Sequence, residues 1–203
     1  MKTSIKIICI LLISIGFSCS KSDSNSPKLE EYPIGYIETR LGDMYFWLHD
    51  ATPNHKSKFI ELANENYYDD FTFNRVIKNF VIQGGCPDSV QYFENSPYLL
   101  DPEFVDSLGH IYGALGMGRD GNPEKQSNAC QIYIVNKESG LSNLDGDYMI
   151  FGQIIKGIDV LEAIEVEPTN QHDMPNVDIP LKVSIKMMTK TELESDLGFL
   201  LPL

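Results

Sequence analysis

The chain has 203 residues, 42% of them hydrophobic, and a formal net charge of −13. This length suits one folded domain with a sizeable core and is too short for two full domains. The acidic excess makes nucleic acids and anionic lipid headgroups poor partners, because both carry negative charge. The cysteines show no metal-site spacing, so we expect no metal. No other cofactor is expected.

The first segment has the order of a secretory signal. Two lysines precede an apolar run at residues 7–13, small residues follow, and Cys19 comes next. The run is too short to span a bilayer, which takes about 20 apolar residues. A cysteine at this place resembles that of bacterial lipoprotein signals, in which the thiol receives lipid. We predict a signal peptide at 1–18 and lipidation of Cys19; an ordinary signal with an incidental cysteine is the alternative.

The segment after the signal is polar. Residues 19–32 are rich in serine and show no apolar periodicity, which predicts a flexible tether between a membrane and a folded domain at 33–188. Ser20 rather than aspartate follows Cys19, so nothing indicates retention at the inner membrane. We therefore expect a monomer in the bacterial cell envelope, anchored by lipid to the outer membrane and facing the periplasm. The pattern predicts no element for the tail at 189–203.

Two alternating runs, at 34–38 and 44–48, flank Leu41-Gly42-Asp43 and predict a β-hairpin. Pro53 then opens a helix with a buried face at His55, Phe59, Leu62 and Ala63. A long polar loop at 86–103 follows two short strands within 71–85. Further strands are predicted at 113–118, 130–135, 149–153 and 177–187, with a second helix at 157–164. Seven or eight short strands with two helices favour a closed antiparallel barrel.

The glycine-rich strand at 113–118 predicts that another backbone or a ligand approaches closely. Cys86 and Cys130 are the two cysteines of the predicted domain. An exported compartment permits a disulfide, but a separation of 44 residues says nothing about their distance. A bridge is therefore allowed and is not the favoured expectation.

Arg75 stands in an apolar strand, and no acidic residue occurs from 71 to 87. Burying a guanidinium without a partner is costly, so the side chain is expected to point into a polar pocket or groove. The alternative is that its stem packs on apolar neighbours while its head reaches water or a distant acid.

The residues around Arg75 resemble the central signature of the cyclophilins, a family of peptidyl-prolyl cis/trans isomerases. The signature comprises Phe73, Arg75, Val76, Ile77, Phe80, Gln83, Gly84 and Gly85. Further matches in the family's order stand at 113–119, 130–134, 144–146 and 151–152, so the resemblance covers about 34–187. Residues 122–125, Asn-Pro-Glu-Lys, resemble a bacterial lipoprotein subgroup. The implied fold is mostly β, a closed eight-stranded antiparallel cyclophilin-like barrel capped by two helices.

The resemblance also implies the roles of residues. Arg75 would donate a hydrogen bond toward the prolyl nitrogen, and Gln83 would bind the substrate backbone or position the arginine. The other implied substrate-binding residues, which include an apolar slot for the proline ring, are Phe80, Val81, Gly118, Gln131, Tyr133, Leu144 and Tyr148. The implied partners are proline-containing polypeptides, and this chemistry requires no nucleophile, base or metal.

Several positions depart from the family's usual residues, and we expect them to change substrate preference rather than abolish turnover. They are Asn74 and Tyr148 for histidine, Val81 for methionine, Tyr133 for phenylalanine, Gly118 for alanine and Cys130 for serine. Asn143 stands where many members have tryptophan, so strong binding of cyclosporin is not expected.

Three functions therefore compete. The favoured one is a lipid-anchored isomerase that assists the folding of exported proteins. The second is a lipoprotein that binds proline-containing segments, or acts as an envelope scaffold, without turnover. The third is an unrelated β-barrel lipoprotein for a small ligand, which would place Arg75, Gln83, Phe80 and Tyr133 on different sides.

Overall fold

The structure is a computed structural model that describes residues 29–87 and 96–202. The predicted signal peptide and Cys19 lie outside these residues. Within the described ranges, no helix is both long and apolar enough to cross a membrane.

Eight strands form one antiparallel sheet, in the order β10-β1-β2-β9-β6-β8-β4-β3. Their bounds are β1 Glu31–Thr39, β2 Gly42–Leu48, β3 Phe73–Val76, β4 Val81–Gly85, β6 Ala114–Met117, β8 Gln131–Val135, β9 Met149–Lys156 and β10 Lys182–Thr189. A separate two-stranded sheet pairs β5 Leu99–Leu100 with β7 Ser127–Asn128. The prediction of a mostly β fold with eight antiparallel strands is thus confirmed.

The sheet is open rather than closed, so the prediction of a closed barrel was wrong. Its two edge strands, β3 and β10, share no ladder. Near them the chain forms an isolated bridge between Thr72 and Pro180, and the Phe73 amide donates to the Ile179 carbonyl at 2.9 Å. The Leu181 amide also donates to the Phe71 carbonyl at 3.0 Å, but among the described residues the bridge does not extend into a ladder between β3 and β10. The sheet is a half-barrel whose edges approach each other at one point.

Three α-helices occur in the described residues: α1 Pro53–Asn64, α2 Ile158–Glu165 and α3 Lys190–Leu197. The first two confirm the predicted helices. The third lies in the tail, for which no element was predicted. It begins with a capping box, in which Thr189 and Glu192 satisfy each other's backbone amides. Its Leu193 is buried, and Phe199 beyond it packs on Trp47.

The core divides into two clusters. The larger one lies between the sheet and helices α1 and α2, with Phe46, Phe59 and Phe151 among its fully buried side chains. The smaller one lies under one face of β4 and β8. It consists of Val81, Ala114, Tyr133, Val135, Leu141 and Ile150, with Phe80, Leu144 and Tyr148 packed against it.

The group that caps helix α1 comes from a residue far away in the sequence. Thr52 makes no side-chain capping bond. Instead, the Glu103 carboxylate accepts hydrogen bonds from the backbone amides of Asn54 and His55, at 3.1 and 3.0 Å, and lies 2.6 Å from His55 Nδ1. The unpaired amides of a helix N-terminus favour such an anion. This contact connects the segment before β6 to the N-terminus of helix α1.

Candidate active site

The hairpin of β3 and β4 places Arg75 beside Gln83. The two residues are register partners, and Arg75 Nη1 donates to Gln83 Oε1 at 3.1 Å. Gln83 is only 8% exposed, and the arginine is half-buried. Among the described residues, Arg75 forms no ion pair with a carboxylate. A neutral amide therefore orients the guanidinium group without neutralising its positive charge.

A pocket of about 350 Å³ opens beside this pair. Its lining comprises Arg75, Phe80, Val81, Gln83, Gly118, Arg119, Gln131, Tyr133, Leu144 and Tyr148. All nine residues that the sequence assigned to the site are thus brought together. The tenth, Arg119, was missed, although its position directly after the glycine-rich strand was a signal for it.

The floor of the pocket is the ring of Tyr133, whose hydroxyl lies 2.8 Å from His110 Nε2. His110 Nδ1 in turn lies 2.6 Å from Asp145 Oδ1. Burial lowers the pKa of His110 despite the opposing effect of Asp145, and burial raises the pKa of Tyr133 well above its usual value. A neutral imidazole that donates from Nδ1 to the carboxylate accepts a hydrogen bond from the Tyr133 hydroxyl at Nε2. The three side chains form one directed hydrogen-bond chain.

His110 and Asp145 were not assigned to the site from the sequence. They stand 35 residues apart, and neither lies in a pattern that marks a buried pair. Partial burial alone would raise the pKa of Asp145, but the hydrogen bonds from His110 outweigh it and lower that pKa. The pair is therefore a carboxylate and a neutral imidazole near neutral pH.

Comparison with known proteins identifies the family. The sequence model described as "Cyclophilin type peptidyl-prolyl cis-trans isomerase/CLD" matches residues 35–186. This chain belongs to the cyclophilin-type peptidyl-prolyl cis-trans isomerases. The enzyme class predicted from the sequence is thereby confirmed, and an unrelated small-ligand barrel is excluded.

Relatives from distant organisms agree with this assignment. A peptidyl-prolyl cis-trans isomerase of Acinetobacter baylyi is 30% identical over 140 residues, which cover 68% of this chain and 74% of the relative. Peptidyl-prolyl cis-trans isomerase-like 2 of Rhizopus delemar is 33% identical over 159 residues, or 76% of this chain but only 29% of that longer protein. The Cryptosporidium parvum cyclophilin solved in the presence of the dipeptide Ala-Pro is 28% identical. Its TM-score is 0.67, with 77% of this chain and 99% of that chain covered.

Two glycines of this cyclophilin's β6 region make room for pocket side chains. A Cβ on Gly118 would lie 1.9 Å from Gln131 Oε1, and one on Gly116 would lie 2.2 Å from Tyr133 Cζ. The glycine-rich strand predicted the close approach of a backbone or a ligand; at Gly116 and Gly118 the nearest atoms belong instead to side chains of the chain itself. Gly118, in place of the family's usual alanine, allows the observed position of Gln131.

A disulfide joins Cys86 to Cys130 next to the pocket, with a Cα–Cα distance of 5.4 Å. This differs from the favoured expectation of two unlinked cysteines. Register decides the outcome, because β4 and β8 pair Gly85 with Gln131, so the two cysteines flank the end of the ladder. Gln131 Nε2 donates to the Cys86 carbonyl at 3.0 Å, which couples the cross-linked turn to a pocket side chain.

The rim of the cyclophilin pocket is aromatic and cationic. Tyr148 meets Tyr133 edge to face, with ring centroids 6.3 Å apart. The Arg119 guanidinium lies 5.4 Å from the centroid of the Tyr148 ring, within cation–π range. Tyr148 therefore connects the floor of the pocket to the second arginine.

Proposed function

We propose that this pocket isomerises prolyl peptide bonds, with Arg75 as the group that stabilises the twisted amide. The observation that carries this proposal is the Arg75–Gln83 pair, which forms one wall of a pocket with a tyrosine floor. The Cryptosporidium parvum relative was solved in the presence of Ala-Pro. We extend that likeness to proline-containing polypeptides as substrates of this chain.

The chemistry requires electrostatic stabilisation rather than a covalent step. Rotation about a peptide bond has a barrier of about 18–20 kcal/mol, because conjugation is lost as the amide twists. In the twisted state the nitrogen becomes pyramidal and basic, so a hydrogen-bond donor aimed at it stabilises the transition state more than the ground state. Gln83 engages one donor of Arg75 and leaves the rest of its fixed, charged fork available.

The remaining lining residues would hold the substrate. Val81 and Tyr133 belong to the smaller core cluster, and Phe80 and Leu144 pack against it. The apolar slot that these residues line suits a proline ring. The amide of Gln131 lies at the pocket wall, where it is placed to bind the substrate backbone. When the proline ring and the backbone of the substrate are both held, rotation about the prolyl peptide bond is the motion that remains free.

We further propose that the enzyme assists the folding of exported proteins as a lipid-anchored monomer of the bacterial lipoprotein subgroup. Lipid on Cys19 and the polar tether at 19–32 would hold a domain at 33–188 off the outer membrane, on its periplasmic side. The apolar run before Cys19 supports this placement. The Cys86–Cys130 disulfide also supports it, since disulfides persist in oxidising compartments.

Exchange NMR on a short proline peptide tests the catalytic proposal. Wild type should accelerate cis/trans exchange, and Arg75→Ala should lower kcat/KM by about 10²-fold while the fold is retained, as for the loss of one preorganised donor. Arg75→Lys should be similarly impaired, because an ammonium keeps the charge but not the fork. An unchanged rate in Arg75→Ala would refute the role of Arg75. Wild-type binding without any acceleration would favour the non-catalytic alternative.

Cell fractionation tests the anchor. The full chain expressed in a bacterial host should appear in the outer-membrane fraction and incorporate labelled fatty acid, whereas Cys19→Ser should do neither. Unchanged labelling of Cys19→Ser would refute lipidation at this cysteine and would leave the catalytic proposal unaffected.

A further inference from the structure

The chain contains three arginines, and they differ in their partners. Arg40 is ion-paired with Glu167. Arg75 and Arg119 form no ion pair among the described residues, and both line the pocket. A protein with a net charge of −13 has thus placed its two unneutralised guanidinium groups in one cavity. The proposed mechanism assigns a role to Arg75 but none to Arg119.

Arg119 is held in a defined position. Its Nη1 donates to the Asp147 carbonyl at 2.8 Å and its Nη2 to the Asn122 carbonyl at 2.6 Å. The Tyr148 ring lies beside the guanidinium. Two of the five N–H donors of an arginine are thus engaged, and both partners are neutral. The group is preorganised while its charge remains available.

The carboxylates near Arg119 already interact with other groups. Asp147 pairs with Lys125 at 2.6 Å, and this hydrogen bond is the main cause of the lowered pKa of Asp147, to which Arg119 adds a smaller electrostatic effect. Asp120 accepts hydrogen bonds from the backbone and side-chain amides of Asn122. Neither carboxylate is ion-paired with Arg119, although both are near it in the fold or the sequence.

We propose that Arg119 forms a subsite for a carboxylate, so that the enzyme prefers prolines with an aspartate or glutamate next to them. This inference rests on the proposed function and names its substrate class. A planar guanidinium matches a carboxylate with two parallel hydrogen bonds. The net negative charge of the protein disfavours the approach of such a peptide, and the two arginines of the pocket are placed to offset that repulsion locally.

The test compares matched peptides. One series carries Glu, Gln or Lys immediately before the proline, and a second carries them immediately after it. At low salt, wild-type kcat/KM by exchange NMR should be about fivefold higher for Glu than for Gln in at least one series, as for a partly exposed ion pair. The Lys peptide should be the poorest. The ratio should shrink as salt is raised.

Variants assign the preference to Arg119. Arg119→Gln should bring the Glu-to-Gln ratio close to one, and Arg119→Lys should retain part of it. Arg40→Gln is the matched control, because it removes the same charge from a residue outside the pocket, and it should keep the wild-type ratio. Since the ratio is measured within each variant, a general loss of activity does not affect it.

Failure of this inference differs from failure of the proposed function. Equal turnover of the Glu and Gln peptides by wild type, or an unchanged ratio in Arg119→Gln, overturns the subsite and leaves the isomerase intact. If no peptide is turned over, the isomerase proposal fails. Chemical-shift titrations with the same two peptides then decide the subsite: tighter binding of the Glu peptide that is lost in Arg119→Gln supports it, and equal binding overturns it.

Discussion

Tyr133 and His110 are joined under the pocket by a hydrogen bond of 2.8 Å, with their rings parallel to within 5°. A buried hydroxyl needs such a partner, because leaving it unpaired is costly. Tyrosine can replace the family's usual phenylalanine here because His110 accepts a hydrogen bond from its hydroxyl and Gly116 leaves space for its ring. The relationship makes the pocket floor part of a polar chain that ends at Asp145.

Tyr133→Phe is expected to lower the free energy of unfolding by about 1–3 kcal/mol, because it leaves His110 Nε2 buried without a donor. Urea denaturation measures the change. Tyr148→Phe is the control, since the Tyr148 hydroxyl makes no hydrogen bond among the described residues. Equal stabilities of the two variants would contradict the importance of the buried bond.

Stability should fall as the pH is lowered from about 7.5 to 5.5. Burial lowers the pKa values of His49, His55 and His110 below the usual value of about 6.5. The unfolded chain then takes up protons near pH 6.5 that the folded protein does not bind, so the stabilisation is complete above that pH and is lost below it. Melting temperatures across this range test the sign, and His110→Asn should show a shallower decline. A melting temperature that rises with acid would refute the argument.

Gly118→Ala should move Gln131, because the added Cβ would lie 1.9 Å from its Oε1. We expect the Gln131–Cys86 hydrogen bond to break and kcat/KM to fall several-fold, with a stability loss of about 1 kcal/mol. The Gln131 side-chain amide signals in NMR report the displacement. Gly121→Ala is the matched control, since nothing lies within 4 Å of a Cβ there. If the amide signals of Gly118→Ala match those of Gly121→Ala, the steric argument is wrong.

Removing the disulfide should destabilise the domain. Cross-linking residues 44 apart restricts the unfolded chain, and the loss is expected to be about 2–4 kcal/mol. The double variant Cys86→Ala, Cys130→Ala, compared with oxidised wild type in urea, measures it. Reduced and unfolded wild type should refold to a stability near that of the double variant until it is reoxidised. Equal stability of the oxidised and double-variant proteins would show that the bond does not stabilise the fold.

The main elements were predictable because they depend on local patterns. Alternating apolar residues predicted β1 and β2, and Pro53 with its buried face predicted α1. The helix in the tail was missed, although the capping pair Thr189 and Glu192 was readable as a start signal. Closure of the barrel was wrongly predicted, because the number of strands alone does not determine whether the two edge strands, β3 and β10, pair with each other.

The sequence by itself determined the family, the mostly β fold and the nine residues that meet at the pocket, because ordered motifs of a known family carry that information through local residue identity. Tertiary structure alone decided the partners of these residues. The Cys86–Cys130 bond, the Tyr133–His110–Asp145 chain and the entry of Arg119 into the pocket all join side chains from separate strands and loops. Their distances depend on strand register and loop path, which residue spacing does not encode.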